Sequence, residues 1–429
     1  MKLSKSLKAV CLSIIAMVAI GTMPVAAQFG RLGDAAKRAQ EELRKKKEAE
    51  AQAKQPPPPA PASAPTATPD PASTSPVPTP AAGSAAAPAD AAPAFQAYSK
   101  FDFVPGEKVV AVDDFTQDAI GDFPARWNTN ASGEIVTIAG RPGRWLKLAG
   151  TGFFTPEFIT ALPDDFTLEF DVLTPPTFVG YYLTTVIAEL PSGGAANWAG
   201  GTNTFLLRLL PGSGDAGTSE TQVRQASVSA AQVSKPVNQF TKVANPVHVS
   251  MWRQRQRIRV YLNEEKAWDL PRAFLATAKL NMFVFGLRVD DAKGEYYIGN
   301  VRLAVGAPDT RNKLLTEGKW VTRGILFDVN SDRVKPESYG ALKEIAGVLT
   351  ESADLKVQIV GHTDADGDDT ANLELSKRRA AAVKTALAAE FKIDAGRIVT
   401  DGKGESQPVD KNDNPAGKAN NRRVEFIKM

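Results

Sequence analysis

Residues 55–94 are dominated by proline, alanine, serine and threonine, a composition that cannot bury a core. The stretch divides the chain, and whatever packs into stable domains must lie after it. Proline holds the backbone near an extended helix, so about 40 such residues reach on the order of 100 Å at ~3 Å each. The expectation is a disordered stalk long enough to cross part of an envelope compartment.

The residues ahead of the stalk offer little to pack. RLGDAAKRAQEELRKKKEAEAQAK, residues 31–54, has only Leu32 and Leu43 as large apolar residues, so 28–54 reads as a charged helical spacer. Self-association, or a basic membrane contact through Lys45 to Lys47, is the less favoured reading because no apolar stripe supports it. The first 27 residues carry Lys2, Lys5 and Lys8, then an apolar run, then Val25 and Ala27 at the positions a signal peptidase reads. A signal peptide cut before Gln28 is predicted, since Gly21 and Pro24 shorten the run below the roughly 20 residues a spanning helix needs.

Export bounds the chemistry. The single cysteine, Cys11, lies within the signal and would not begin the mature chain as a lipidated cysteine does, so disulfides, thiolate metal sites and cysteine nucleophiles are excluded. Removing three lysines and no acid takes the formal charge from +3 to 3 − 3 = 0, and no basic stripe with interleaved aromatics points to nucleic acid. A chain of 429 residues exceeds what one core organises, which leaves room for two folded domains.

From 95 to 308, short β-branched and aromatic runs are separated by Gly, Pro, Asn and Asp: VVAVDDF, EIVTIAG, RWLKLAG, FTLEFDVLT, YYLTTVIAEL, NTFLLRLL, VHVSMW, RIRVYLN, LNMFVFGLRV and YYIGNVRLAV. They predict an all-β sandwich of two sheets. The closing stretch, VHVSMWRQRQRIRVYLNEEKAWDLP and the two strands after it, resembles the concanavalin A-like or laminin-G-like jelly rolls. Glu169 and Asp171 share one strand face, as the paired acids of jelly-roll glycosidases do, but Thr174 stands where a third acid is expected. A solvated strand face is the preferred reading. His248, flanked by Val247 and Val249, is expected to face away from the core. His248 and His362 fall in different domains, so no histidine triad or His-rich metal site is available.

Residues 319–429 alternate strand and helix. GILFDV is expected as a strand, and Pro336 suits the first position of a helix that puts Tyr339, Leu342, Ile345, Ala346 and Leu349 on one face. LKVQIVG, RIVTDGKG and RRVEFIKM supply further strands, and LELSKRRAAAVKTALAAEF a second helix with Leu375, Val383, Ala386 and Leu387 inward. The product is an α+β domain, a mixed sheet with two main helices. GHTDADG ends one strand and NLELSKRRAAAV follows, so Asp364 stands at a strand's edge and Arg379 on the next helix. A carboxylate and a guanidinium can converge there on one cleft.

The order FDVNSDRVKPES, GHTDADG, NLELSKRRAAAV, DGKGESQPV and GKANNRRVEF resembles the OmpA-like domain of OmpA C-terminal regions, Pal lipoproteins and flagellar stator proteins. The resemblance spans the whole of 319–429. It implies a ligand, the diaminopimelate side chain of the peptidoglycan stem peptide, which ends in an ammonium and a carboxylate on one carbon. On that basis Asp364 takes the ammonium and Arg379 forks two hydrogen bonds to the carboxylate, which a lysine would not reproduce. Asn372, Asn330 and Asp328 match family positions that line the cleft, and Thr363 supports Asp364. Arg422 and Arg423 match the family's late arginine pair and are expected to be mainly structural, one of them pairing with an acid across the sheet. A calcium loop at Asp364, Asp366 and Asp368 is rejected, because Gly367 falls at the fourth position and Leu375 stands where a glutamate is required.

The sequence thus predicts an exported, non-enzymatic, wall-associated protein of the periplasm or outer membrane, with no cofactor and no metal. A β-sandwich would be anchored by a peptidoglycan-binding domain, with neither a transmembrane barrel nor a lipid anchor in evidence. Envelope proteins or glycans are the expected partners of the sandwich. The alternatives are a sandwich that itself binds or cleaves glycan, or an assembly scaffold displayed on the stalk.

Overall fold

Each of the ten apolar runs between 95 and 308 overlaps a strand in the computed structural model. The structure describes residues 101–190 and 201–429 except 215, 227, 231, 243–245, 289–293 and 307–308; the expected signal peptide, spacer and linker lie outside the described residues. The strands form two sheets, antiparallel wherever strands pair. In one, Glu265–Leu270, Arg257–Leu262, Val247–Gln254, Asp165–Leu173, Tyr296–Val305, Arg141–Ala149 and Ser132–Ile138 lie in that order, with Lys108–Asp113 also paired to Tyr296–Val305. In the other the order is Val228–Ser229, Gly217–Gln225, Asn203–Leu210, Leu183–Glu189, Met282–Leu287, Gly152–Pro156 and Trp127–Thr129, with Val233–Val237 beside Gly217–Gln225.

Period-2 alternation sets the faces. Phe166, Leu168, Phe170 and Val172 of the first sheet join Phe283, Phe285 and Leu287 of the second in one core. Phe170 meets Phe285 edge to face at 5.0 Å. Gly217–Gln225 escaped the reading because GTSETQVRQ has few large apolar residues; it buries Ser219, Glu220 and Thr221 instead.

The opposite face of the first sheet departs from expectation. Glu169 does not face water, being 3% exposed, and Asp171 is only partly exposed. Asp171 lies directly across the ladder from His248, and Glu169 from Arg302. A bulge after Gly299, with Asn300 at a φ of 52°, breaks the pairing register and sets Arg302 opposite Glu169. His248 Nδ1 lies 2.6 Å from Asp171 and Nε2 3.3 Å from Glu169, Asn300 donates to Asp171 at 2.6 Å, and Arg302 Nη1 stands 3.6 Å from Glu169. Burial alone would lower the His248 pKa, but bonding to the two acids overcomes it and pushes it up to about 10.

A histidine whose folded pKa exceeds the ordinary 6.5 contributes stability fully present below that pH and lost as pH rises through about 10. His248→Gln should therefore be less stable than the native chain at pH 6 by ~2 kcal/mol, with the gap closing by pH 10.5. Thermal melts of both proteins across that range check this; a gap that does not narrow would contradict it.

Among the described residues of the C-terminal region, a second architecture follows. Lys319–Thr322, Val424–Lys428, Val357–His362 and Ile398–Gly404 form a sheet in that order, parallel only between the last two. Helices Thr310–Leu315, Tyr339–Glu351, Asp369–Phe391 and Pro415–Asn421 accompany it. Leu342, Ile345, Ala346 and Leu349 are buried as expected; the long helix Asp369–Phe391 buries Ser376, Ala380, Val383 and Leu387, while Leu375 is only half-buried. GILFDV is not a strand. The sheet edge is KWVT, whose Trp320 pairs with Phe426, and the expected segment instead bonds to the turn before the second helix, Lys335 N to Leu326 O and Leu326 N to Ser338 Oγ.

The described residues fall within one compact unit. Across it, the Asn420 amide clamps the Val109 backbone, accepting from its N–H at 3.0 Å and donating to its carbonyl at 2.9 Å. Lys313 pairs with Glu107 at 2.6 Å, and Phe103 packs among Trp252, Tyr261 and Tyr339. The C-terminal region thus lies against the first sheet.

Candidate functional site

Glycines in neighbouring strands let the long helix approach the sheet. A Cβ at Gly361 would stand 2.3 Å from the Ser376 carbonyl oxygen, and one at Gly402 2.4 Å from the Ser376 hydroxyl. Ser376 therefore sits on the sheet, its hydroxyl accepting from Gly404 N at 2.8 Å. One turn further on is Arg379. Its Nε donates to Ser331 O at 2.9 Å, its Nη2 to Asp328 O at 3.4 Å, and its guanidinium carbon lies 4.9 Å from the Phe327 ring centroid. The loop after Phe327 thereby fixes the plane of the guanidinium.

Asp364, 9% exposed, caps the end of Val357–His362. Its Oδ2 is bonded by Arg422, and its Oδ1 accepts from Asp366 N at 3.3 Å. Burial lowers the Arg379 pKa from its ordinary value; the charge of Asp364 opposes this and that of Arg422 adds to it. The structure thus brings Asp364, Arg379 and Arg422 into one charged group. A cavity of about 270 Å³ opens beside it, lined by Phe327, His362, Arg379 and Arg422 on this side and by Asn300 and Arg302 of the first sheet on the other.

The remaining expected residues divide. Asn372 shapes the site through its amide nitrogen: Nδ2 donates to Asp366 O at 3.1 Å and to Glu405 at 2.6 Å, which builds the 364–366 turn. Asp328 reaches Arg379 through its carbonyl, while its carboxylate lies 3.7 Å from Arg333. Asn330 is exposed, at a φ of 53° in the same loop. Thr363 is buried with its hydroxyl unpartnered, its N–H donating to Gly404 O. Of the arginine pair, Arg423 is structural, bonded to Glu425 at 2.8 Å and to two carbonyls. Glu425 resists its own burial, held well below the usual carboxylate range by His362, Lys319 and Arg423. Arg422 carries the contact to Asp364, so each of the two arginines pairs with an acid. Nothing local in GKANNRRVEF distinguishes the two. Among the described residues no group of three His, Cys, Asp or Glu is placed to hold a metal ion.

Residues 326–422 match the OmpA family model. They form an OmpA family domain. Outer membrane porin F of Pseudomonas aeruginosa is 40% identical over 101 residues, 24% of this chain and 29% of that protein. Outer-membrane lipoprotein YfiB of the same organism is 42% identical over 103 residues, 24% of this chain and 61% of that one. Among solved structures, the peptidoglycan-associated lipoprotein from Burkholderia pseudomallei matches with a TM-score of 0.24 and 26% identity, covering 28% of this chain and 98% of that chain. The chain therefore spans less than a third of the porin's length. The expected location, an exported protein associated with the cell wall or outer membrane, agrees with these outer-membrane relatives.

Proposed function

We propose that this protein binds peptidoglycan without altering it, gripping the diaminopimelate zwitterion of the stem peptide through its OmpA family domain and so anchoring its two-sheet region to the wall. The observation that carries this reading is Arg379, held in plane by Phe327 and two loop carbonyls, beside an acid of opposite charge. A fixed guanidinium suits a carboxylate, and Asp364, sharing its charge with Arg422, suits the neighbouring ammonium. The OmpA family match supports the same ligand class.

On this reading the two-sheet region is a jelly-roll module of the concanavalin A-like kind, presented by the anchor to envelope proteins or glycans. Its paired acids are a poor basis for glycan cleavage, because His248, Asn300 and Arg302 already engage them. The full chain should pellet with purified sacculi. A soluble stem peptide ending in diaminopimelate should release it at least about tenfold more effectively than the lysine-ended peptide, which lacks the side-chain carboxylate. Equal release by both peptides would overturn the reading.

A further inference from the structure

We propose that the ligand cleft has a second wall, supplied by the first sheet of the sandwich, where Arg302 and Asn300 receive another carboxylate of the peptide that Arg379 and Arg422 hold. This rests on the wall-binding reading and adds to it a specificity that the C-terminal domain alone would lack.

The cavity is richer in cations than a zwitterion requires. Five arginines line it, with Asp114 as the acid among the lining residues. Two of the arginines are committed elsewhere: Arg323 donates to Asn420 O and Glu107 O, and Arg423 to Glu425 and two carbonyls. Asp114 is also engaged, accepting from the N–H and hydroxyl of Thr116. Arg302 is only partly satisfied. The Arg302 Nε is buried without a hydrogen-bond partner, and so is the His362 Nδ1, while His362 Nε2 faces Glu425 at 3.6 Å. Glu169, 3.6 Å from Arg302 Nη1, orients that side chain at a distance too long for a hydrogen bond. Donors left unpaired in a buried place call for an acceptor, and guanidinium donors call for an anionic one.

Preorganisation is built into the sheet. The bulge after Gly299 re-aims Arg302, Asp171 holds Asn300 at 2.6 Å, and His248 ties both acids together. A volume of about 270 Å³ admits the end of a short peptide. Sugar hydroxyls carry no charge to answer a buried guanidinium. A peptide with a second free carboxylate near its zwitterion does.

The test is calorimetric titration of the full chain with L-alanyl-γ-D-glutamyl-meso-diaminopimelate, and with the same peptide amidated at every carboxylate except that of the side-chain zwitterion. Amidation should weaken binding to the native chain about tenfold, and Arg302→Gln should weaken binding of the free acid by as much. The Arg302→Gln variant should then bind both peptides alike. Asn300→Gly, which keeps the positive φ, should weaken only the free acid. Native binding that ignores amidation would overturn the inference, and this arm needs no altered protein. If Arg379→Ala loses both peptides while Arg302→Gln loses neither, the second wall falls and the wall-binding reading stands. If the native chain binds neither peptide, both fall.

Discussion

Arg379→Ala should abolish measurable pelleting with sacculi and weaken binding of the diaminopimelate peptide about 100-fold or more. The side chain links the long helix to the 327–331 loop through two carbonyls and the Phe327 ring, and it is the guanidinium nearest in role to the ligand carboxylate. Removing it leaves that carboxylate beside Asp364 with only Arg422 to offset the repulsion. Arg379→Lys is the sharper comparison. It keeps the charge but neither the fork nor the flat face that rests on Phe327, so it should still lose about tenfold. Titration with the peptide and a circular dichroism spectrum separate loss of the site from loss of the fold. A folded alanine variant that pellets as well as the native chain would end the assignment.

The site was partly legible because its positions are set by local rules. Asp364 ends a strand and Arg379 lies on the next helix, so strand and helix periods alone direct both toward the same edge. What pairs with them was not legible. Arg422 meets Asp364 across 58 residues, and Arg423 beside it turns to Glu425; the alternation of a strand says that they diverge but not which way. GILFDV failed for a related reason. Alternation of Ile325 and Phe327 reports which side is apolar, not whether a ladder partner exists, and the backbone there found the 335–338 turn instead.

The sandwich teaches a different lesson. Its core strands are legible in β-branched runs, but the polar face of Asp165–Leu173 reads as one open to water. A polar face against solvent and one against a neighbouring polar region obey the same pattern, since both accept charge. Here the neighbours that neutralise Glu169 and Asp171, His248 and Arg302, lie across the ladder on strands 77 to 133 residues away in sequence. Their proximity depends on register, and a bulge shifted that register at Asn300.

Gly361→Val should destabilise the C-terminal domain by about 3 kcal/mol or more. The atom that a Cβ would strike is the Ser376 carbonyl oxygen, at 2.3 Å, which belongs to helix backbone and cannot swing aside as a side chain would. The helix must lift from the sheet, opening the core around Ala380, Val383 and Leu387. For a region of this size the melting temperature should drop by roughly 12 °C or more. Function should suffer beyond stability, because the same helix carries Arg379 and, at its first turns, the Asn372 amide that shapes the 364–366 turn. Even at a temperature where the variant remains folded, the peptide should bind more weakly than to the native chain. Gly347→Ala is the control: a Cβ there meets nothing within 4 Å and alanine suits a helix interior better than glycine, so it should not lower the melting temperature and should leave binding unchanged. If Gly361→Val melts like the native chain, the close helix approach that positions Arg379 is wrong; if it melts early yet binds normally when folded, the position of the arginine does not depend on that approach.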